Sequence, residues 1–435
     1  MDTNQIIYQI YPLGFCGAPA ENDGVTVPRI RKVLDWIPHL KQIGITAVYF
    51  GPVFESDRHG YDTRDYRKID CRLGTNEDFR DVCAALHKEN IKVILDGVFN
   101  HVGRGCFAFQ DVLQRKWDSP YTNWFHIDYG NNNNPDGFWY GDWEGHRELV
   151  KLNVENPDVK NYLFSSIDSW VEDYGIDGLR LDVAYCLSRN FLWDLHHHVK
   201  SRYGGFFLLG EMIGGDYNTL LQDGLLDSVT NYECRKGLFS SMNTANLFEI
   251  GYSLNRQFGS DPWCLYRGRH LLTFVDNHDV DRLASVLNDA RDLPLTYAMM
   301  YAMPGIPCIY YGSEWGAEGA RTKHSDHALR PCFDAPQHNE LTDYISALSR
   351  MRTACDVFDK GDYKQLYIQN KQLVFRRRSD RGQIIFAINI DDQPAVLRFN
   401  AEAESAKDLL SGETVTFTGE LHMPGKSARF LYTQY

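Results

Sequence analysis

The chain has 435 residues, with 45 Lys+Arg against 58 Asp+Glu and a net charge of −13. That length suits a barrel of about 250 residues with additional domains better than one small core. Without any basic run of five or six residues, the acidic balance argues against nucleic acid or another polyphosphate as partner.

The N-terminus, MDTNQIIYQIYP, begins acidic and has neither a basic nor an apolar leader segment, so no secretion signal is expected. Short apolar, β-prone runs follow at 6–12, 45–53, 91–99, 178–184, 206–212, 228–233, 271–278 and 306–312. Helix-like stretches lie near 29–43, 76–89, 157–174, 190–203, 216–222, 234–250, 281–302 and 339–354. Strands apolar on both faces, each followed by a helix, predict an α/β fold, a (β/α)8 TIM barrel built from 1–101 and 157–355. Helix starts are marked by Asn76 with Glu77 and Asp78, and by Asn156 with Pro157 in the first turn.

The connection 102–156 is too long for a simple loop and predicts an inserted subdomain after the third strand. Trp117, Trp124, Trp139, Tyr140 and Trp143 either fill a minor core or line a groove for sugar faces, with Trp139 and Trp143 favoured for the groove. Asn131–Asn134 read as a flexible exposed tip. The uncharged stretch 293–313 is long enough to span a bilayer, but Pro294, Pro304, Gly305, Pro307 and Gly312 split it into a helix and a buried strand. From 356 to 435, alternating segments separated by turns predict a C-terminal antiparallel β-sandwich. The ten cysteines are scattered, without C-x-x-C, and read as reduced, mostly buried thiols of a cytoplasmic protein.

Four segments place polar or acidic residues at strand ends: DGVFNH (96–101), GLRLDVA (178–184), LLGEM (208–212) and FVDNHD (274–279). Barrel enzymes assemble their sites there. Arg180 and Asp182, two apart, share one strand face, so the guanidinium is expected to hold Asp182 ionised as a nucleophile. Glu211 follows the run FFLLG, where desolvation should raise its pKa and suit it to donate a proton. Asp279 and His278 close the seventh strand, Asn100 and His101 the third, with Asp96 inward beneath them. Each position alone also admits a salt-bridge or capping role.

Together with GYDTRDY (60–66), KLNVENP (151–157) and GIPCIYYGSEWG (305–316), these segments make the chain resemble the α-amylase family of glycoside hydrolases over nearly its whole length. Within it, LGTNEDFRDV, AFQDV, NWFHI and KLNVENPDV look most like cyclomaltodextrinases, neopullulanases and maltogenic amylases, although this chain starts directly on the first strand where those relatives usually carry an N-terminal β-domain. The resemblance implies that Asp182 is the nucleophile, Glu211 the acid/base and Asp279 a carboxylate gripping sugar hydroxyls. It implies further that Arg180 orients Asp182, that His101 and His278 bind hydroxyls, that Tyr61 stacks on the ring, and that Asp326 and Arg330 hold a second sugar. It offers Asn100 as a calcium ligand, yet Ala184-Tyr185 stands where secreted relatives typically carry a Lys-His used at that site; the chemistry itself requires no cofactor. The implied function is retaining hydrolysis of α-1,4-glucosidic bonds in maltooligosaccharides, cyclodextrins or related α-glucans. Transglycosylation, action on another α-glucoside such as sucrose or trehalose, and silent glucan binding are the alternatives. An oligosaccharide partner, no membrane, and a monomer or weak homo-oligomer complete the expectation.

Overall fold

The computed structural model describes residues 3–131 and 135–435; Asn132–Asn134 of the anticipated tip lie outside the described residues. Eight parallel strands form the central sheet: β1 (Ile7–Ile10), β2 (Ala47–Phe50), β3 (Lys92–Gly97), β4 (Gly178–Leu181), β5 (Phe207–Gly210), β6 (Ser228–Val229), β7 (Leu272–Thr273) and β8 (Ile306–Tyr310). From β1 to β6 each pairs with the next in chain order, β1 pairs with β8 and β8 with β7. A single parallel bridge, Thr230 to Leu272, closes the ring between β6 and β7. Nearly every barrel-strand residue is buried, which is why the strands read as apolar runs rather than alternating ones.

Helices wrap the barrel at Lys32–Gln42, Asn76–Lys88, Pro157–Tyr174, Arg189–Arg202, Tyr232–Asn243, Phe248–Phe258, Asp292–Ala302 and Glu340–Ala354. The anticipated start at Pro157 holds, with Asn156 accepting from the amides of Asp158 and Val159. At the second helix the cap is Thr75, not Asn76; Thr75 and Asp78 form a reciprocal capping box. Three helix expectations fail in part. The stretch 281–302 divides into one short helix, Leu283–Val286, and the helix Asp292–Ala302. The stretch 216–222 is only a 3₁₀ turn over Tyr217–Thr219. The stretch 234–250 breaks at Ala245, at φ 49°, into two helices, because the Leu247 amide turns outward to donate to Asn370 O at 2.7 Å, in the turn between the strands Lys364–Ile368 and Gln372–Ser379 of the C-terminal sheet.

The segment between β3 and Pro157 carries a three-stranded sheet of His101–Gly103, His146–Lys151 and Asp142–Trp143, and the helix Phe107–Arg115. Phe109 packs edge to face on Phe125 and Tyr140, and Phe138 lies tilted against Tyr140. The C-terminal region is a six-stranded antiparallel sheet faced by a two-stranded antiparallel sheet of Ala395–Arg398 and Glu420–Met423, with Val374, Ile385, Leu397, Leu421 and Leu431 sealed between the layers. The stretch 293–313 divides into helix and strand as the breakers require, and among the described residues no helix is long and apolar enough to cross a membrane.

Candidate active site

Strand register assembles the site. Arg180 lies level with Asp96 on β3 and Leu209 on β5, and Leu181 lies level with Gly97 and Gly210. One residue further on, the Asp182 amide donates to Gly97 O at 3.1 Å and the Glu211 amide to Leu181 O at 2.9 Å, so both carboxylates stand in one layer at the C-terminal mouth.

The Arg180 guanidinium lies directly below that layer. Its Nη1 reaches both Asp96 oxygens, at 2.9 and 3.0 Å, and Asp182 Oδ1 at 3.0 Å, while Nη2 reaches Glu211 Oε1 at 2.9 Å. Tyr49 and Tyr61 hydroxyls donate to Asp96 Oδ2 at 2.9 and 3.1 Å. The second Glu211 oxygen accepts from the Val183 amide at 2.9 Å. To present that amide, Val183 takes the left-handed conformation, φ 38° and ψ 49°, a costly choice for a β-branched residue and one that clusters at functional sites.

Arg180 does reach Asp182, as expected, but it is not a private partner. Burial raises the Asp182 pKa well above the carboxylate range; Arg180 draws it down, and Glu211 and Asp96 push it up again. Burial raises Glu211 as well, opposed by Arg180 and reinforced by Asp279. Three carboxylates share one cation, so Asp182 and Glu211 titrate as a pair that holds a proton longer than isolated acids.

Asp279 behaves differently. Burial alone would raise it, but His278 Nε2 at 3.0 Å and Arg330 Nη2 at 3.1 Å bring it well below the usual carboxylate range. Gln9 Nε2 lies 2.8 Å from His278 Nδ1; with the amide as donor, the imidazole proton sits on Nε2, facing Asp279 and the Tyr61 hydroxyl. The Tyr61 ring lies almost parallel to that of His278, with centroids 5.6 Å apart. Arg330 also donates to His278 O at 3.1 Å, pairs with Asp326 at 2.9 Å and covers the Tyr11 ring at 4.6 Å.

His101 places Nε2 3.9 Å from Asp182 Oδ2, and burial pushes its pKa down to about 3, so the ring is neutral. Asn100 turns its amide nitrogen to His101 Nδ1 at 3.2 Å. A hard cation wants oxygen ligands; among the described residues the one group of three close carboxylate, thiol or imidazole ligands is Glu55, Asp70 and Cys71, away from Asn100 in the chain. There Asp70 is committed to Arg72 and Ser56, and Glu55 to Asn22 and the Cys71 amide.

The alpha-amylase catalytic-domain model matches residues 9–353. The chain belongs to the alpha-amylase family. It is therefore an O-glycosyl hydrolase. A cyclomaltodextrinase from a Bacillus species is 31% identical, covering 90% of this chain and 74% of the relative. Neopullulanase 2 of Thermoactinomyces vulgaris is 30% identical, over 94% and 74%. The crystal structure of a Nostoc punctiforme debranching enzyme superposes with a TM-score of 0.81 at 26% identity, over 99% of this chain and 98% of that one.

Every residue that the alpha-amylase resemblance singled out, Asp326 through its pairing with Arg330, belongs to this one network. Among the aromatics, Trp124 and Tyr140 are buried in the inserted segment, Trp117 is exposed, and Trp143 stands 6.0 Å from His101, ring to ring. Trp139, also favoured for the groove, is partly exposed on a two-residue strand paired with Ile127–Asp128. Gln9, Tyr49 and Val183 were missed. A glutamine inside the apolar run IIYQIYP is a readable signal; Val183 gives none, because its role is carried by its backbone.

Proposed function

We propose that the protein hydrolyses α-1,4-glucosidic bonds of maltooligosaccharides, cyclodextrins or related α-glucans with retention of configuration. The observation that carries the reading is the placing of Asp182 and Glu211 on the two terminal nitrogens of a single guanidinium, at 3.0 and 2.9 Å. Two carboxyls facing one gap and sharing a proton are what a double displacement needs.

Glu211 gives its proton to the glycosidic oxygen as the bond to the anomeric carbon breaks. An Asp182 oxygen takes that carbon, forming a glycosyl ester. The positive charge developing on the sugar favours the ionised form of Asp182, while the fixed charge of Asp279 keeps the proton on Glu211 until it is needed. Water then loses its proton to Glu211, adds at the anomeric carbon from the face the leaving group vacated, and frees Asp182. Asp279, His278 and His101 hold sugar hydroxyls, Tyr61 faces the ring, and Arg330 with Asp326 extends the cleft. The names of the relatives favour cyclic and linear maltodextrins as substrates. Cytoplasmic action is part of the proposal, supported by ten free cysteines.

Proton NMR of the first-formed product tests the scheme. An α-anomer from an α-substrate is expected, and a β-anomer overturns it. Products from maltoheptaose, β-cyclodextrin, pullulan and starch, compared side by side, then set the substrate range.

A further inference from the structure

The inserted segment delivers one turn, Asp142–His146, to the catalytic mouth. The Gly145 amide donates to Asp142 Oδ1 at 2.8 Å, and Glu144 and Gly145 both take positive φ, 50° and 89°, so the reversal is tight. Trp143 comes off this turn and lies with its ring 5.3 Å from His146, at 21°, and 6.0 Å from His101. His101 in turn stands 3.9 Å from the Asp182 carboxylate. The Trp143 indole is thus one ring removed from the nucleophile.

Two atoms there are unusual. Trp143 Nε1 and His101 Nε2 are both buried and both without a hydrogen-bond partner. A buried indole N–H without an acceptor costs about 1–3 kcal/mol, and such groups normally find one. The two rings are neighbours, and His101 is neutral. A hydroxyl is the group that suits both nitrogens, since it accepts from the indole while donating to, or accepting from, the imidazole. The groups already partnered around Asp182 and Glu211 offer no such vacancy.

We infer that Trp143 is a substrate-positioning and specificity-determining residue: its indole N–H donates to a hydroxyl of the sugar under attack, the same hydroxyl that His101 Nε2 meets. His146 backs the indole and sets its angle. The inserted segment then selects, through one directed donor, for sugars hydroxylated at that carbon. A site built to pair a hydroxyl discriminates strongly against the analogue lacking it, far more than a merely apolar wall does. This rests on the hydrolytic reading above, and its test separates the two.

The test compares the parent with Trp143→Phe, which keeps an aromatic ring and removes the donor, on α-glucosyl fluoride and its 3-, 4- and 6-deoxy analogues. On the full sugar, kcat/KM should fall about tenfold or more, the worth of one directed hydrogen bond left unmade. On one deoxy analogue the two proteins should be equal, because the partner hydroxyl is already gone. Loss by the same factor on all four fluorides overturns the inference and leaves Trp143 as a space-filling wall. A second variant, His146→Ala, keeps the donor but frees its angle; it should retain the parent's ranking of the analogues with a smaller loss, and a ranking like that of Trp143→Phe overturns the assignment to the indole nitrogen. If the parent leaves every α-glucosyl fluoride intact, the hydrolytic reading itself falls, a result visible before either variant is made.

Discussion

Arg180 at the barrel mouth and Arg377 at the seam with the C-terminal sheet are both buried, yet their surroundings are opposite. Arg180 faces three carboxylates, and they raise its pKa well above the ordinary value against the effect of burial. Arg377 is held by neutral carbonyls of Phe358, Gly361, Asp362 and Ala302, and burial lowers it to about 10. Its neighbour Arg352 is bound in the same way to carbonyls of Tyr301, Met303 and Gly305 and falls to about 9. At the seam each guanidinium closes the end of the helix Asp292–Ala302, satisfying acceptors that the helix cannot satisfy itself. At the mouth the anions outnumber the cation, and a proton is left to be moved. The same side chain serves rigidity in one place and chemistry in the other.

Breaking the chemical side should have the largest effect. Asp182→Asn is expected to lower kcat/KM on maltotriose by about 10⁴ or more, as removal of a covalent nucleophile does. Initial rates check this, and a variant within tenfold of the parent removes Asp182 from that role. Breaking the structural side should leave chemistry alone: Arg377→Met is expected to lose about 3 kcal/mol of stability, through carbonyls left buried and unpaired, with kcat at 25 °C unchanged. Urea unfolding and steady-state kinetics on the same sample separate the two effects.

Glu211→Gln sharpens the contrast, because it should lose activity and gain stability. The folded pKa of this acid is raised, so between the ordinary value and the raised one the native state binds more protons than the unfolded chain, and stability falls as pH rises through that window. Removing the ionisable group should therefore stabilise the protein at alkaline pH, the gain vanishing toward acid pH. Thermal melts across pH would show it, and a gain growing toward low pH would refute it. His101 carries the opposite sign. Its folded pKa of about 3 lies below the ordinary 6.5, so the unfolded chain takes the extra proton and stability is lost as pH falls below about 6.5. In His101→Gln the drop in Tm between pH 7 and pH 4.5 should be smaller than in the parent.

The barrel was legible because strands buried on both faces leave long apolar runs, and the mouth because those runs end in acids. That pattern placed Asp182, Glu211 and Asp279 at strand ends; the roles expected of them came from the family resemblance. What sequence spacing hid was sharing: Arg180 and Asp182 two residues apart suggest a private ion pair, and only register brings Asp96 and Glu211 onto the same nitrogens. The break at Ala245 was hidden for a similar reason, since the competing acceptor, Asn370, lies in a turn of the C-terminal sheet. Trp143 was readable as a groove aromatic from its glycine neighbours. That its nitrogen lacks a partner was not, because a hydrogen-bond deficit exists only in three dimensions.

The ring of strands is not uniformly tied. β3 and β4 share four registered pairs, whereas β6 and β7, two residues each, meet through the one bridge of Thr230 with Leu272, in which the Asn231 amide donates to Leu272 O. Local opening starts where the fewest bonds must break. Amide exchange at Asn231 should therefore outpace that at Arg180 by a wide margin. Glu211 precedes this weak joint and Asp279 follows it, so any opening there should change the gap between those two carboxyls before it disturbs the rest of the ring.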